Sequence, residues 1–253
     1  MGAKIACKVF ARFRGRYNGA MCGRYTLRVS PAELADIFST LRAIEWSARY
    51  NIAPTQMVVA IRPAEGASAR ELATLKWGLI PSWADSPKIG SSLINARADT
   101  VATKPAFRSA FKKKRCLIPA DGFYEWQAIP GLKTKQPFLI GVRDVPVFAF
   151  AGLWEHWTSP EGTRVESCSI ITTEANELMQ QVHNRMPVIL DPADYDRWLD
   201  RDSQPQDVLP LLKPFPAERM QLVPVSTLVN SARNERPECV QPLILPSECG
   251  GCT

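Results

Sequence analysis

The chain of 253 residues contains no run of about 18 apolar residues, and this absence excludes a membrane-spanning helix. It has no internal repeat and no long low-complexity tract, which excludes a repeat architecture. Histidine is scarce, since His156 and His183 are the two in the chain. A structural zinc site usually needs four cysteine or histidine ligands, so we expect neither a metal nor another cofactor.

Acidic residues are missing from the first 21 positions, which carry five lysines and arginines. Without that segment the formal net charge of +6 falls to +1, so a nucleic-acid site on the remainder must be a local patch. The segment also lacks the unbroken apolar stretch of a secretory signal. A transit peptide and a true translation start at Met21 both remain open. We favour the start at Met21, and expect residues 1–21 to be absent from the active protein.

Seven cysteines, an odd number, exclude a secreted disulfide framework and favour a reducing, cytoplasmic compartment. Cys249 and Cys252 form a Cys-Gly-Gly-Cys end near Cys239. We interpret residues 246–253 as a flexible tail, with metal binding as the less favoured alternative. The length and a hydrophobic content of 45% predict a single large domain over residues 22–245.

Short apolar runs bounded by proline, glycine or charge predict many strands. A capping box at Ser30 with proline at the next position predicts a helix to about Phe38. We expect an α+β single domain with a mostly antiparallel, barrel-like sheet, a few peripheral helices and irregular chain after Asp200. The predicted strands are Met57–Ile61, Leu75–Ile80, Cys116–Ala120, Phe138–Val142, Val147–Leu153 and Ser169–Thr172; the further predicted helices are Pro105–Lys114, Glu174–Val182 and one from Asp191 to about Asp200.

Several motifs in order resemble the SRAP family, the SOS response-associated peptidases that shield abasic sites in DNA. They cover the chain from Met21 to about Leu245. Family members expose their cysteine by removing a single methionine, so the extension before Met21 is a departure from the pattern. The motifs are Met-Cys-Gly-Arg-Tyr-Thr from Met21, Tyr-Asn-Ile-Ala-Pro from Tyr50, Trp-Gly-Leu-Ile-Pro-Ser-Trp from Trp77, Ile-Asn-Ala-Arg-Ala-Asp from Ile94, the Arg115–Trp126 segment, Phe-Ala-Gly-Leu-Trp from Phe150 and His-Asn-Arg-Met-Pro from His183.

The resemblance implies that Cys22, as first residue, forms a covalent bond with an abasic site in single-stranded DNA. An abasic deoxyribose is a masked aldehyde. The α-amine attacks it to give an imine, and the thiol of the same residue closes a thiazolidine ring in an intramolecular step. With a reference pKa of about 7.7–8.0, an α-amine is far less protonated at neutral pH than lysine. Taken without the resemblance, Cys22 would be read as a small buried hydrophobe.

Other site residues follow from the same resemblance. Glu125 matches the catalytic carboxylate, which can donate the proton that opens the sugar ring. His183 matches a histidine that assists proton transfer, and Asn95 a residue that holds the cysteine. Considered alone, a glutamate on a strand is usually exposed and a histidine at a helix end usually caps carbonyls.

DNA contacts are expected from a further group of residues. Arginine suits phosphate because its planar fork donates two hydrogen bonds, and aromatic rings can stack on bases. The alternative for the arginines is an ordinary surface ion pair. The alternative for the aromatic rings is a position in the hydrophobic core, where we expect Trp77 and Trp126. The basic run from Phe111 to Arg115 could neutralise phosphates or form a solvated helix face. The expected DNA contacts are Arg24, Arg97, Trp83, Pro54, Phe123 and Thr172.

Three functions remain open on the sequence: abasic-site crosslinking with self-processing, a cysteine peptidase with Cys22 and His183 as its dyad, and a nucleic-acid-binding module without chemistry. Ring closure needs a free amine on Cys22, whereas the peptidase does not. We favour the first, with single-stranded DNA as partner and a monomer as the default state.

Overall fold

The computed structural model describes residues 23–66, 69–130 and 134–243. Within them the chain forms mostly strands joined by short helices and 3-10 turns. The strands, in chain order, are β1 (Tyr25–Leu27), β2 (Arg49–Ile52), β3 (Met57–Pro63), β4 (Arg70–Trp77), β5 (Asn95–Arg97), β6 (Arg115–Ala120), β7 (Gly122–Gln127), β8 (Gln136–Val142), β9 (Phe148–Thr158), β10 (Arg164–Glu174), β11 (Arg185–Pro187), β12 (Ile189–Leu190) and β13 (Met220–Pro224). The helices are α1 (Pro31–Phe38), α2 (Arg108–Lys113), α3 (Tyr195–Leu199) and α4 (Pro205–Val208).

Five strands close into a barrel in the order β10-β4-β3-β6-β9, because β9 also pairs with β10. The β4–β10 pair is parallel and the other four pairs are antiparallel. The short strands β5 and β11 flank the end of β10, and β12 extends β9. Each of these five strands therefore has a partner on both sides, with β3–β6 paired at one position and β4–β10 at two.

A second sheet, entirely antiparallel, has the order β13-β8-β7-β1-β2. It shares the hydrophobic core with the barrel. Tyr25 of β1 makes edge-to-face contacts with Trp77 and Phe150, whose ring centroids lie 5.4 and 6.0 Å away. The start of β1 is thereby fixed against the barrel by buried aromatic packing.

The predicted fold class is confirmed, and so is the first helix. In α1 the Ser30 hydroxyl accepts from Glu33 N at 3.3 Å, and the Glu33 carboxylate accepts from Ser30 N at 2.9 Å. The six predicted strands correspond to β3, β4, β6, β8, β9 and β10. β4 ends at Trp77, earlier than predicted, because Gly78 adopts a φ of +130° that breaks the strand.

The predicted helix Glu174–Val182 is wrong. Glu174 still pairs with β11, and the Asn176 side chain accepts from Met179 N at 2.9 Å while donating to Phe215 O at 2.6 Å. The bond to Met179 N has the geometry of a helix N-cap, but only a 3-10 turn at Met179–Gln181 follows it. The chain after Asp200 is less irregular than predicted, since β13 pairs along its full length with β8. None of the helices in the described segments is both long and apolar enough to cross a membrane.

Candidate active site

The site is built around the start of β1, next to the central strand β7. Tyr25 pairs with Phe123, and Tyr124 N donates to Arg24 O at 3.0 Å. Continuing this antiparallel register places Gly23 opposite Glu125, a buried carboxylic acid with 4% exposure. Cys22, the residue before Gly23, lies outside the described residues.

His183 follows the Met179–Gln181 turn, which is tied to the end of β7. The Gln127 side chain donates to Gln181 O at 2.7 Å, two residues along β7 from Glu125. His183 N donates to Met179 O at 2.8 Å, and the ring Nδ1 accepts from Arg185 N at 3.1 Å. A backbone N–H can only donate, so the neutral ring carries its proton on Nε2.

Burial lowers the pKa of His183 below its ordinary value of 6.5, and the positive charges of Lys135 and Arg185 lower it further. The ring is therefore neutral at pH 7. A neutral imidazole that accepts a hydrogen bond at Nδ1 presents Nε2–H as a donor.

The end of β10 gathers the other predicted residues. β5 runs parallel to it, with Asn95 beside Ile170 and Arg97 beside Thr172. Thr172 is fully buried, and its hydroxyl donates to Ala96 O at 3.3 Å. Thr172 therefore does not contact the sugar as predicted, because its hydroxyl joins β10 to β5 and has no exposed surface.

Arg97 and Arg185 form a basic pair at this strand end. The Arg97 guanidinium is well exposed and pairs with Asp99, with Nη2 2.6 Å from Oδ2. The Arg185 Nη2 donates to Thr172 O at 2.7 Å. Burial and then the positive charge of Arg97 lower the pKa of Arg185. Arg185 lies in the motif that begins at His183, but nothing in that motif indicated a function for it.

Arg24 is more tightly held than expected for a residue that only contacts DNA. Its Nη1 donates to Asn51 Oδ1 at 2.9 Å and to Val229 O at 2.8 Å. Burial lowers its pKa. Arg24 thus joins β1 to β2 and to the chain near Val229; its predicted contact with DNA remains a prediction that would use its remaining N–H groups.

The predicted stacking residues differ sharply in exposure. Trp83 is 60% exposed and Pro54 is half-buried, so both can meet a ligand. Phe123 is fully buried, with its ring 5.9 Å from that of Phe150 in an edge-to-face arrangement. The prediction that Phe123 stacks on a base is therefore wrong. Trp77 is in the core as predicted, whereas Trp126 is half-buried and donates to Asn230 Oδ1 at 2.7 Å.

The Phe111–Arg115 run is not a continuous basic patch. Lys112 and Lys113 are exposed, but Lys114 pairs with the buried Glu155. Arg115 is almost fully buried and donates to backbone carbonyls, among them Phe111 O at 2.8 Å. Half of the run is thus structural, and phosphate contacts are left to its two exposed lysines.

The described cysteines are poor nucleophiles. Cys116, Cys168 and Cys239 are all buried, and burial raises the pKa of each thiol. A thiolate is the reactive form, so these three positions are chemically inert near neutral pH. No cluster of three or more metal-ligating side chains occurs among residues 23–66, 69–130 and 134–243.

The chain is an α+β protein with a closed mixed barrel and a flanking antiparallel sheet. A buried carboxyl group lies beside the start of β1 in that sheet. The family model described as "SOS response associated peptidase (SRAP)" matches residues 21–232. The chain belongs to the SRAP family.

The relatives agree with this membership. The chain is 43% identical to the abasic site processing protein YoqW of Bacillus subtilis over 225 residues, which cover 87% of this chain and 99% of that protein. It is 38% identical to the abasic site processing protein HMCES of Xenopus tropicalis, covering 72% of this chain and 61% of that one. The crystal structure of a protein from Bacteroides thetaiotaomicron superposes with a TM-score of 0.80 at 28% identity, covering 88% of this chain and all of that one.

Proposed function

We propose that this protein processes abasic sites in single-stranded DNA by forming a thiazolidine crosslink through Cys22 as its first residue. The observation that carries the proposal is the β1–β7 register, in which Tyr25 lies opposite Phe123; continued by two residues along both strands, it brings Gly23 opposite the buried Glu125. Cys22 is the residue bonded to Gly23, one position from that pair. The relatives named as abasic site processing proteins support the same substrate.

The chemistry needs only the protein and the lesion. The ring-opened sugar offers an aldehyde, the Cys22 amine adds to its carbon, and loss of one water gives the imine. The thiol sulfur then bonds to the same carbon while its proton passes to nitrogen, which closes the five-membered ring. Both nucleophiles belong to one residue, so the second step is intramolecular.

Two side chains fit the reaction. Glu125 can give a proton to the ring oxygen of the sugar as it opens, take one from the amine as it adds to the aldehyde, and give it to the hydroxyl that leaves as water. His183, neutral at pH 7, can donate a hydrogen bond through Nε2–H to a sugar oxygen while these protons move. Asn95, on β5 beside β10, is proposed as the residue that holds the cysteine.

DNA binding is assigned to the basic pair and the exposed ring. Arg97 and Arg185 lie beside the β10 end and are suited to flanking phosphates, because a guanidinium can bind two phosphate oxygens at once. Trp83 and Pro54 are proposed to contact bases, with Arg24 as an additional contact. The protein would act as a monomer in the reducing cytoplasm, where the Cys22 thiol stays free.

The free amine requires that residues 1–21 be absent. Hydrolysis of the Met21–Cys22 amide by the protein itself, which consumes one water, would supply this in a family described as peptidases. Initiation at Met21, with removal of that methionine, would do the same. The start of the family match at residue 21 supports either route.

The test uses protein beginning at Cys22, verified by intact mass, and a single-stranded oligonucleotide with one abasic site. A denaturing gel should show a shifted band that resists heat. Cys22→Ala and an acetylated amine should abolish it. Cys22→Ser keeps the amine, so it should form an imine that is seen only after borohydride reduction.

Glu125→Gln should slow the crosslink by at least about a hundredfold, the lower end of the range for loss of a general acid. The matched control is Glu155→Gln, which alters another buried glutamate, on the distant end of β9. Equal rates for both variants would remove Glu125 from the reaction. A stable band from protein that retains residues 1–21 would refute the terminal-amine chemistry, and turnover of unrelated peptides would favour a general cysteine peptidase.

A further inference from the structure

A small pocket opens beside the basic pair, and no step of the proposed reaction uses it. It encloses about 270 Å³. Three apolar side chains, Leu209, Leu212 and Pro214, line it together with the polar groups of Asp99, Glu174 and Arg185. Pockets for drug-sized ligands hold roughly 300–1,000 Å³, so this one fits a single ring system.

The pocket is continuous with the proposed DNA path. Arg185 belongs both to its lining and to the basic pair, and its backbone N–H donates to His183. Asp99, also in the lining, is the ion-pair partner of Arg97. The Thr173 hydroxyl donates to Leu212 O at 3.2 Å, which fixes the Leu209–Leu211 turn against the end of β10.

The lining combines two kinds of surface that a nucleobase requires. Leu209, Leu212 and Pro214 give an apolar surface for the face of a ring. Asp99 and Glu174 can only accept hydrogen bonds when ionised, and the Arg185 guanidinium can only donate them. The neighbouring Arg97 guanidinium lowers the pKa of Asp99, so that carboxyl is ionised at neutral pH.

We propose that this pocket binds one unstacked nucleobase next to the abasic site, with a preference for bases that carry an exocyclic amino group. Such a group donates to the carboxylates, while a ring nitrogen or carbonyl beside it accepts from Arg185. Thymine has no amino group and fits less well. The proposal rests on the proposed function and names a specificity within it.

In abasic DNA, little free energy is needed to move the neighbouring base into the pocket. A base beside the lesion has lost one stacking neighbour, so moving it out of the strand costs less than in intact DNA. The pocket and the phosphate contacts then act on adjacent nucleotides, because Arg185 serves both. A base held here would also fix the position of the sugar presented to Cys22.

The first test uses an oligonucleotide with an unreactive tetrahydrofuran abasic analogue and 2-aminopurine as its immediate neighbour, on one side or the other. At saturating protein, 2-aminopurine fluorescence should change strongly for one of the two positions. Leu209→Gln, which makes the apolar wall polar without adding charge, should remove at least half of that change. Leu243→Gln is the matched control, since Leu209 and Leu243 are 38% and 37% exposed.

The second test measures crosslinking to reactive abasic sites flanked by cytosine or by thymine. We expect cytosine to be preferred by at least about fivefold at limiting protein, the lower range for a well-formed pair of hydrogen bonds. Leu209→Gln should reduce the preference while still crosslinking the thymine substrate. Crosslinking without preference, or the same preference in Leu209→Gln, would refute the pocket alone; absence of any crosslink would instead refute the proposed function.

Discussion

At the scale of single residues, the arginines near the site have separate functions although they look alike in sequence. Arg115 is buried and donates to backbone carbonyls, whereas Arg97 is exposed. Arg24 is between the two, because part of its guanidinium donates to the buried Asn51. Burial and hydrogen-bond partners decide which guanidinium remains for phosphate. The motifs give the type of each residue but not the direction in which its side chain points. For the same reason Phe123 was wrongly predicted to stack on a DNA base.

The lowered pKa of His183 predicts how the reaction depends on pH. Since the folded protein keeps this ring neutral below its ordinary pKa of 6.5, the contribution of His183 to the rate should persist to a pH below 6.5. The same lowered pKa links folding to pH. The neutral ring contributes fully to the free energy of unfolding above about pH 6.5, the pKa of the unfolded chain, and this contribution is lost as the pH falls toward the lower pKa of the folded protein.

The measurement is the ratio of crosslinking rates, native protein to His183→Ala, between pH 5 and 8. Protonation of the Cys22 amine lowers both rates equally and cancels in the ratio. We expect the ratio to stay constant down to pH 6.5 and to fall only below it. His156→Ala, an exposed histidine on β9, should follow the native profile. A ratio that is already halved at pH 6.5 or above would contradict the lowered pKa.

At the scale of elements, local signals were reliable where the interactions are local. The capping box of α1 involves residues three apart, and it was found from the sequence with both helix ends correct. β13 and the turn at Met179–Gln181 depend on partners far along the chain, β8 and Phe215. Proline content and helical pattern could not show those contacts, so β13 was missed and a helix was predicted where none forms.

The cap of α1 should stabilise the fold without affecting the chemistry. Ser30→Ala removes the hydroxyl that accepts from Glu33 N, and should lower the free energy of unfolding by about 1 kcal/mol. Urea unfolding followed by circular dichroism measures it. Crosslinking rates of the folded variant should match the native rates, since α1 takes no part in the site. Ser91→Ala, whose hydroxyl donates within a short turn, is the control with a smaller expected change. A slowed crosslink in Ser30→Ala would mean that α1 supports the site after all.

At the scale of the whole molecule, the two ends of the described chain meet at the site. Asn51 on β2 is fully buried, and its amide donates to Val229 O, Ser231 O and Asn234 O at 3.2, 2.9 and 3.0 Å. Its Oδ1 accepts from Arg24, two residues after Cys22. The Glu235 carboxylate accepts from Asn51 N at 2.9 Å and reinforces the same junction.

This junction connects the C-terminal part of the domain to both strands that form the active site. Asn230, in the same segment, accepts from Trp126 Nε1 on β7, one residue after Glu125. The segment therefore bridges the start of β1 and the middle of β7. No motif indicated this, because the contacts join residues about 180 positions apart. We expect it to hold Gly23 and Glu125 in register.

Replacing Asn51 with alanine tests this coupling of stability to chemistry. The variant removes the amide that donates to three backbone carbonyls and one of the acceptors of the Arg24 guanidinium, and should lower the free energy of unfolding by about 2–4 kcal/mol. Leu34→Ala, in a fully buried position of α1, should cost a similar 2–5 kcal/mol at a distance from the site. Both are compared at a temperature where circular dichroism shows them fully folded. Only Asn51→Ala should then crosslink more slowly, because it alone loosens the strand that presents Cys22. Equal rates would show that the β1–β7 register holds without the C-terminal segment, and that this segment contributes to stability alone.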